Sequence, residues 1–189
     1  MLTLIGISGS LRRGSYNSAL LRAAAALMPP ASELRIVSIA AIPLYDGDIE
    51  SDGIPEPVAR LKDALAAAAG LVLVTPEYNT SLPGVAKNAI DWLSRPPADI
   101  ARVFGGKPVA IAGASPGAFG TLLAQNAWLP VFRILGADLW SGGRLIVPRA
   151  TSVIDANGEI VDAATRDHLA RFVRGFVAYV RERTVRPSG

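Results

Sequence analysis

Five short apolar runs rich in β-branched residues, at residues 2–7, 35–39, 71–75, 108–113 and 145–147, alternate with helical patterns, and this alternation constrains the fold more than any other feature. Runs of this kind read as strands covered on both faces, and strands separated by helices read as a parallel sheet with right-handed crossovers. The helical patterns occupy residues 17–28, 55–69, 84–94, 121–135 and 163–183. In the last of them Leu169, Phe172, Val173, Phe176, Val177 and Val180 share one stripe, while Arg166, Arg171, Arg174 and Arg181 fall off it, so this helix caps a sheet face. Five strands within 189 residues fit the strand order 2-1-3-4-5 better than a six-stranded dinucleotide sheet. The expectation is an α/β three-layer sandwich, a five-stranded parallel sheet of order 2-1-3-4-5 with helices on both faces, as one domain over residues 1–189.

Composition removes several classes of function. With no cysteine there are no disulfides, thiolate nucleophiles or Cys-ligated clusters, which suits a cytoplasmic protein. The single histidine, His168, supports no multi-His metal site and reads as structural at the edge of the last helix stripe, so no metal is expected. The net charge is +3, but the basic residues are scattered rather than massed, which disfavours nucleic acid; Arg181, Arg183 and Arg186 read as a solvated tail. The longest apolar stretch, residues 64–74, is too short to span a membrane and breaks at Gly70. The apolar start has no basic residue before it, which disfavours a signal peptide.

In the order 2-1-3-4-5, ligands sit beyond the carboxyl ends of the first and third strands, where the most unusual loops occur. The first run ends in Gly9-Ser10-Leu11-Arg12-Arg13-Gly14-Ser15-Tyr16-Asn17 and a helix follows at once. Free N–H groups and the positive end of a helix dipole suit an anion there, with Ser10, Ser15 and Asn17 as side-chain donors and Arg12 or Arg13 as a fork. No Gly-Lys-Ser/Thr triplet is present, and Gly6, Gly9 and Gly14 have the wrong spacing for a dinucleotide fingerprint, so a single phosphate monoester is the better cargo. Read alone, the loop is equally an ordinary turn.

After the third run come Thr75-Pro76-Glu77-Tyr78-Asn79 and a second proline, Pro83, which stiffen the segment so that backbone amides of residues 77–79 can border a planar heterocycle. Tyr78 can lie against a ring or fill a core gap, and Asn79 can bond a ring or tie its own turn. Glu77 is a poor general acid, since no second carboxylate or histidine accompanies it. After the fourth run, Ser115-Pro116-Gly117-Ala118-Phe119-Gly120 lets backbone approach a ligand at the start of another helix. Each of these loops alone is a common turn. Together they fit a flat mononucleotide, with its phosphate on the first loop.

These three loops, with Lys87-Asn88-Ala89-Ile90-Asp91-Trp92 after the second, resemble the NAD(P)H-dependent FMN reductase family, and its quinone and chromate reductase branch most. The resemblance covers nearly the whole chain. It implies a flavodoxin-like fold, with FMN phosphate held by Ser10, Arg12, Ser15 and Asn17 beside Tyr16. It further implies that Pro76, Glu77, Tyr78 and Asn79 border the isoalloxazine, and that Ser115, Pro116, Gly117 and Gly120 border its other edge. Members of the branch often carry an arginine where this chain has Leu123, so any contact which that arginine makes does not transfer.

The implied activity is a ping-pong transfer of two electrons from NADPH or NADH, through bound FMN, to a quinone or similar small molecule, with chromate, azo or nitro compounds and free flavin as further acceptors. The flavin carries the chemistry at N5, so no catalytic side chain is expected. The other class of reading is a non-enzymatic flavin-binding electron carrier or redox-sensing module, which the basic charge disfavours. A hydrolase on the same sheet lacks a nucleophile elbow and an Asp in the first loop. Arg12, Arg13 and Arg102 are open either to a 2′-phosphate or to solvent. Residues 128–135 are apolar round most of a helix, with Pro130 placed to kink it, and residues 40–57 form a long acidic, Pro/Gly-rich connection. The first is a core helix or a contact between subunits, and the second a lid, a partner contact or a mobile loop; the resemblance, which implies dimers or tetramers, favours a homodimer or homotetramer.

Overall fold

The computed structural model describes residues 1–185. In chain order the elements are β1 (Leu2–Ser8), α1 (Tyr16–Ala26), β2 (Ser32–Val37), α2 (Gly47–Asp52), α3 (Glu56–Ala67), β3 (Gly70–Val74) and α4 (Gly84–Leu93). They continue with α5 (Ile100–Phe104), β4 (Pro108–Ala114), α6 (Leu122–Ile134), β5 (Asp138–Leu139), β6 (Leu145–Val147), α7 (Ala150–Val153) and α8 (Ala163–Val185). All strand pairs are parallel and the order is β2-β1-β3-β4-β5, as the alternation predicts.

The expected fifth strand, residues 145–147, is β6; the correction is in the count, because a further two-residue strand, β5, precedes it along the same edge and the sheet has six strands. β5 pairs with β4 at Val109–Leu139 and β6 resumes at Ala112–Leu145, so six steps along the edge match three along β4. The excess loops out around Trp140, whose ring turns back onto Phe172 and Phe176 of α8 at 5.2 and 5.4 Å between centroids. Burying a large aromatic surface under α8 offsets the lost ladder bonds.

Alternation along the strands divides the core between the two faces. Leu4, Val72, Val74, Ala110 and Ala112 face α1 and α8, and all six residues of the α8 stripe are buried. Ile5, Ile7, Leu71, Leu73 and Val109 face α3, α4, α5 and α6. β2 begins three residues before the expected run, because as an edge strand its start follows its pairing with β1: Leu2 meets Ser32, Thr3 meets Glu33, and Thr3 Oγ1 donates to Glu33 Oε1 at 2.8 Å.

Residues 40–57 are more ordered than a bare connection. Asp46 caps α2 by accepting the Asp48 N–H at 2.9 Å, and the Pro43 carbonyl accepts from Asn88 Nδ2 and Trp92 Nε1 at 2.7 and 2.9 Å. The segment is thereby strapped to α4. α6 runs through Pro130 as one helix. Of the supposed tail, Arg181 donates to the Pro30 carbonyl at 2.7 Å and Arg183 pairs with Asp138, so both tie α8 to the body, while Arg186 lies outside the described residues. Among the described residues no helix is long and apolar enough to cross a membrane.

Candidate functional site

Three loops leave the carboxyl ends of β1, β3 and β4 and enclose a slot of about 300 Å³. Its walls carry Ser10, Arg12, Ser15, Tyr16 and Asn17 from the first loop, Pro76, Glu77 and Tyr78 from the second, and Ser115 and Pro116 from the third. Ten of the thirteen residues picked from sequence therefore meet in one place. Ala114, the last residue of β4, also lines the slot and was missed, because the apolar run was read as ending one residue earlier. Asn79, Gly117 and Gly120 are not in the wall.

At one end the slot meets the start of α1. Ser15 is the N-cap: its backbone is extended, and its Oγ accepts the Ser18 N–H at 3.2 Å. The Tyr16 and Asn17 N–H groups, in the first turn, have no intrahelical acceptor and face the open end of the helix. Ser10 Oγ accepts the Arg12 N–H at 3.3 Å, so the hydroxyls of Ser10 and Ser15 each keep a hydrogen to donate. The Arg12 guanidinium stacks on the Tyr16 ring, 5.2 Å from its centroid, which keeps the charge beside the helix start. Hydroxyls, N–H groups and a guanidinium, with no carboxylate in this loop, form a donor set that fits a phosphate monoester.

Asn17 is placed differently from the expectation that its side chain grips phosphate. Its Nδ2 donates to the Ala114 carbonyl at 2.9 Å and its Oδ1 accepts the Ala114 N–H at 2.8 Å, all of it buried. The side chain is thus spent on holding α1 against the end of β4, and what it leaves for a ligand is its backbone N–H. Gly9 brings the second loop in, since a Cβ there would come within 3.0 Å of Pro76 Cδ and 3.2 Å of Pro83 Cγ.

The second loop closes as a two-residue turn. Tyr78 and Ser81 exchange backbone hydrogen bonds of 3.1 and 3.0 Å, and Asn79 and Thr80 between them have φ of +49° and +61°. Both central residues at positive φ give the tight, twisted form of hairpin turn. Asn79 therefore ties the turn, the second of its two sequence readings. Tyr78 is half-exposed at the mouth.

The third loop is supported from behind. The Gly117 carbonyl accepts the Arg149 N–H at 3.0 Å, and Gly120, at φ +61°, packs where a Cβ would lie 2.3 Å from Ile146. Both glycines shape the loop rather than touch the slot. Ser115 Oγ accepts the Gly117 N–H at 3.2 Å and keeps its own hydrogen for the slot. Nor is the start of α6 open to a ligand: Glu77 Oε2 accepts the Leu123 and Ala124 N–H groups at 2.8 and 3.0 Å. No residue of 40–57 lines the slot, and Arg102 is engaged elsewhere with Asp63 and Asp99.

A second cavity of about 230 Å³ beside Trp140 has more apolar lining, but its polar side chains are bonded to one another: Arg144 donates to Gln125 Oε1 at 3.3 Å and to Asn126 Oδ1 at 2.9 Å. Its one guanidinium is therefore already engaged, unlike that of Arg12.

Comparison with known proteins agrees with this geometry. Residues 2–152 match the family model described as NADPH-dependent FMN reductase. The chain is 44% identical over 184 residues to a 2-hydroxy-1,4-benzoquinone reductase of a Burkholderia species, covering 97% of this chain and 99% of that protein. It is 41% identical over 180 residues to an NAD(P)H-dependent FMN reductase of Pseudomonas aeruginosa, covering 95% and 96%. Among solved structures it resembles FerB, a flavoenzyme NAD(P)H:(acceptor) oxidoreductase from Paracoccus denitrificans, with a TM-score of 0.86 and 34% identity over 96% of this chain and 98% of that one. With a flavodoxin-like parallel sheet, a family match over most of its length and relatives above 40% identity, this chain belongs to the NADPH-dependent FMN reductase family.

Proposed function

We propose that the chain, as one FMN-binding domain, transfers two electrons from NADPH or NADH to a quinone or similar small acceptor in a ping-pong cycle. The observation that carries this reading is the slot itself: an anion-ready helix start at one end and a stiff, half-exposed aromatic and proline wall at the other. The chemistry that bound FMN supplies is acceptance of hydride from the nicotinamide and reduction of the acceptor once the nicotinamide has left.

The chain's own residues bind and orient. Ser10, Ser15, Arg12 and the first N–H groups of α1 hold the phosphate, and Asn17 keeps that helix start in register with β4. Pro76 and Tyr78 on one side and Ser115 and Pro116 on the other flank the ring. With the one carboxylate in the wall, Glu77, engaged at Oε2 by the α6 N–H groups, the work of these residues is stacking distance and exclusion of water. Quinones suit the open apolar mouth, and the Burkholderia relative's name supports that acceptor class.

A homodimer or homotetramer is part of this reading. Leu129 and Ile134 on the outer side of α6 are 46% and 84% exposed, and Leu44 in the strapped segment is 80% exposed, more apolar surface than one chain covers. The cysteine-free composition supports a cytoplasmic setting.

The test is direct. Purified protein is expected to be yellow, or to bind added FMN, and then to oxidise NADPH when a benzoquinone is supplied, with parallel double-reciprocal lines. Colourless protein that ignores added FMN overturns the reading. A single-chain mass by light scattering at micromolar concentration removes the oligomer.

A further inference from the structure

Away from the phosphate end, the slot is bounded by Pro76, Glu77 and Tyr78 after β3 and by Ser115 and Pro116 of the loop that leads into α6. The strands beneath these two walls, β3 and β4, are paired side by side, and beyond the ladder's end, where the Thr75 N–H donates to the Ala112 carbonyl at 2.8 Å, two further links tie the first wall to α6. One is deep: the Trp128 Nε1–H donates to Thr75 Oγ1 at 3.0 Å, with both residues fully buried. The other is at the surface, where Glu77 Oε2 accepts from Leu123 and Ala124.

The surface link supplies what α6 lacks locally. A helix begins with N–H groups that have no intrahelical partner. Thr121 stands in the N-cap position but makes no capping bond, its Oγ1 instead accepting from Gln125 Nε2 at 3.1 Å, and the first turn of α6 holds no acid. A carboxylate 46 residues upstream fills that place, where the helix dipole also favours a negative group.

We infer that Glu77 is a positioning residue of the reductase site: by capping α6 it ties the segment that carries Pro76 and Tyr78 to the start of that helix and so sets the lip, formed by those two side chains, on which a planar acceptor stacks. Pro76 and Tyr78 flank Glu77 in sequence and line the slot, and Tyr78 is 50% exposed. The Tyr78–Ser81 bridge closes the loop on itself, which leaves Glu77 as the surface tether of that lip to α6. The functional half of this inference rests on the FMN reading of the slot; the cap itself does not.

The full chain is compared as wild type, Glu77→Ala and Glu77→Gln by three measurements: amide hydrogen exchange over residues 122–126 without FMN, FMN affinity by fluorescence quenching, and KM and kcat for a benzoquinone at saturating NADPH. Glu77→Ala is expected to speed exchange at Leu123 and Ala124 by about five-fold or more, the usual consequence of losing a cap. It is also expected to raise the benzoquinone KM several-fold with little change in kcat. Glu77→Gln, whose amide oxygen accepts the same two bonds, restores most of both. Unchanged exchange in Glu77→Ala, a KM that stays constant while only thermal stability falls, or a Gln variant as impaired as the Ala variant overturns the inference. If the wild type binds no FMN, the reading of the slot fails separately, and the exchange result alone decides whether Glu77 holds the lip.

Discussion

α1 and α6 both begin at the carboxyl edge of the sheet, and both follow a glycine-containing loop that contributes to the wall of the same slot. They are used in opposite ways. At α1 the local cap, Ser15, takes one N–H and leaves the first turn for a ligand, whereas at α6 a remote carboxylate takes two and closes the helix start. A glycine-rich strand-to-helix turn is therefore not by itself a ligand site; what decides is whether the protein has already provided the acceptor.

The largest effect expected from breaking this contrast is at Asn17. Asn17→Ala leaves the buried N–H and C=O of Ala114 without partners, and each such group costs roughly 1–3 kcal/mol. A loss of about 3 kcal/mol in chemical denaturation is expected, together with weaker FMN binding as α1 drifts from β4. A loss below about 1 kcal/mol contradicts the buried pair.

Next is the charge at the open helix start. Arg12→Ala is expected to weaken FMN binding about ten-fold or more, the scale of one charge-assisted hydrogen bond, and Arg12→Lys to recover part of it without the planar fork. The same variants should leave riboflavin, which has no phosphate, bound as in the wild type. Equal losses for both ligands would mean that Arg12 acts through Tyr16 rather than through phosphate.

The two helix starts also differ in how far they could be read from sequence. Ser15 is followed at once by its helix and the loop's donors lie within nine residues, so the open site was legible in local chemistry. Glu77 reaches α6 only because β3 and β4 are neighbours in the sheet; the one local sign was a helix start at Thr121 with no acid in its first turn. Asn17 looked like a ligand because its type suits one, and its true partner, a backbone at Ala114, has no side-chain signature. The fold shows the same division. Parallel order and both core faces followed from hydrophobic period, while the short α2, α5 and α7 and the split edge strand are set by tertiary packing of segments too short to carry a period.

A pH experiment probes a charge pair that belongs to neither helix start. On α3, Lys62 is buried and pairs with Asp99, and hydrogen bonding from Lys62, then from Arg102, holds the Asp99 carboxyl below its ordinary range. A lowered carboxylate pKa contributes stability above its unfolded value and loses it as pH falls through the folded one. Thermal stability should accordingly decline below about pH 4, and Asp99→Asn should lie lower at neutral pH with a flatter acid limb. An acid limb of the same steepness in both proteins would assign the decline to other carboxylates.

The smallest expected change concerns the lip that Glu77 holds. Thr80 sits at φ +61°, a conformation that costs a β-branched residue roughly 1 kcal/mol or more and costs glycine nothing. Against this, glycine loses more backbone freedom on folding, about 0.4–1 kcal/mol, and Thr80→Gly removes the 2.6 Å bond from Thr80 Oγ1 to the Asn79 carbonyl. The net gain is a few tenths of a kcal/mol, because Asn-Gly is the preferred pair for this turn but most of the relief is returned to the unfolded chain. Thr80→Gly should raise the thermal midpoint by about a degree or two while leaving the benzoquinone KM unchanged, since the turn keeps its shape. A raised KM would mean that the lip depends on the stiffness of Thr80 as well as on the Glu77 cap, and that the strain at positive φ is retained for the site.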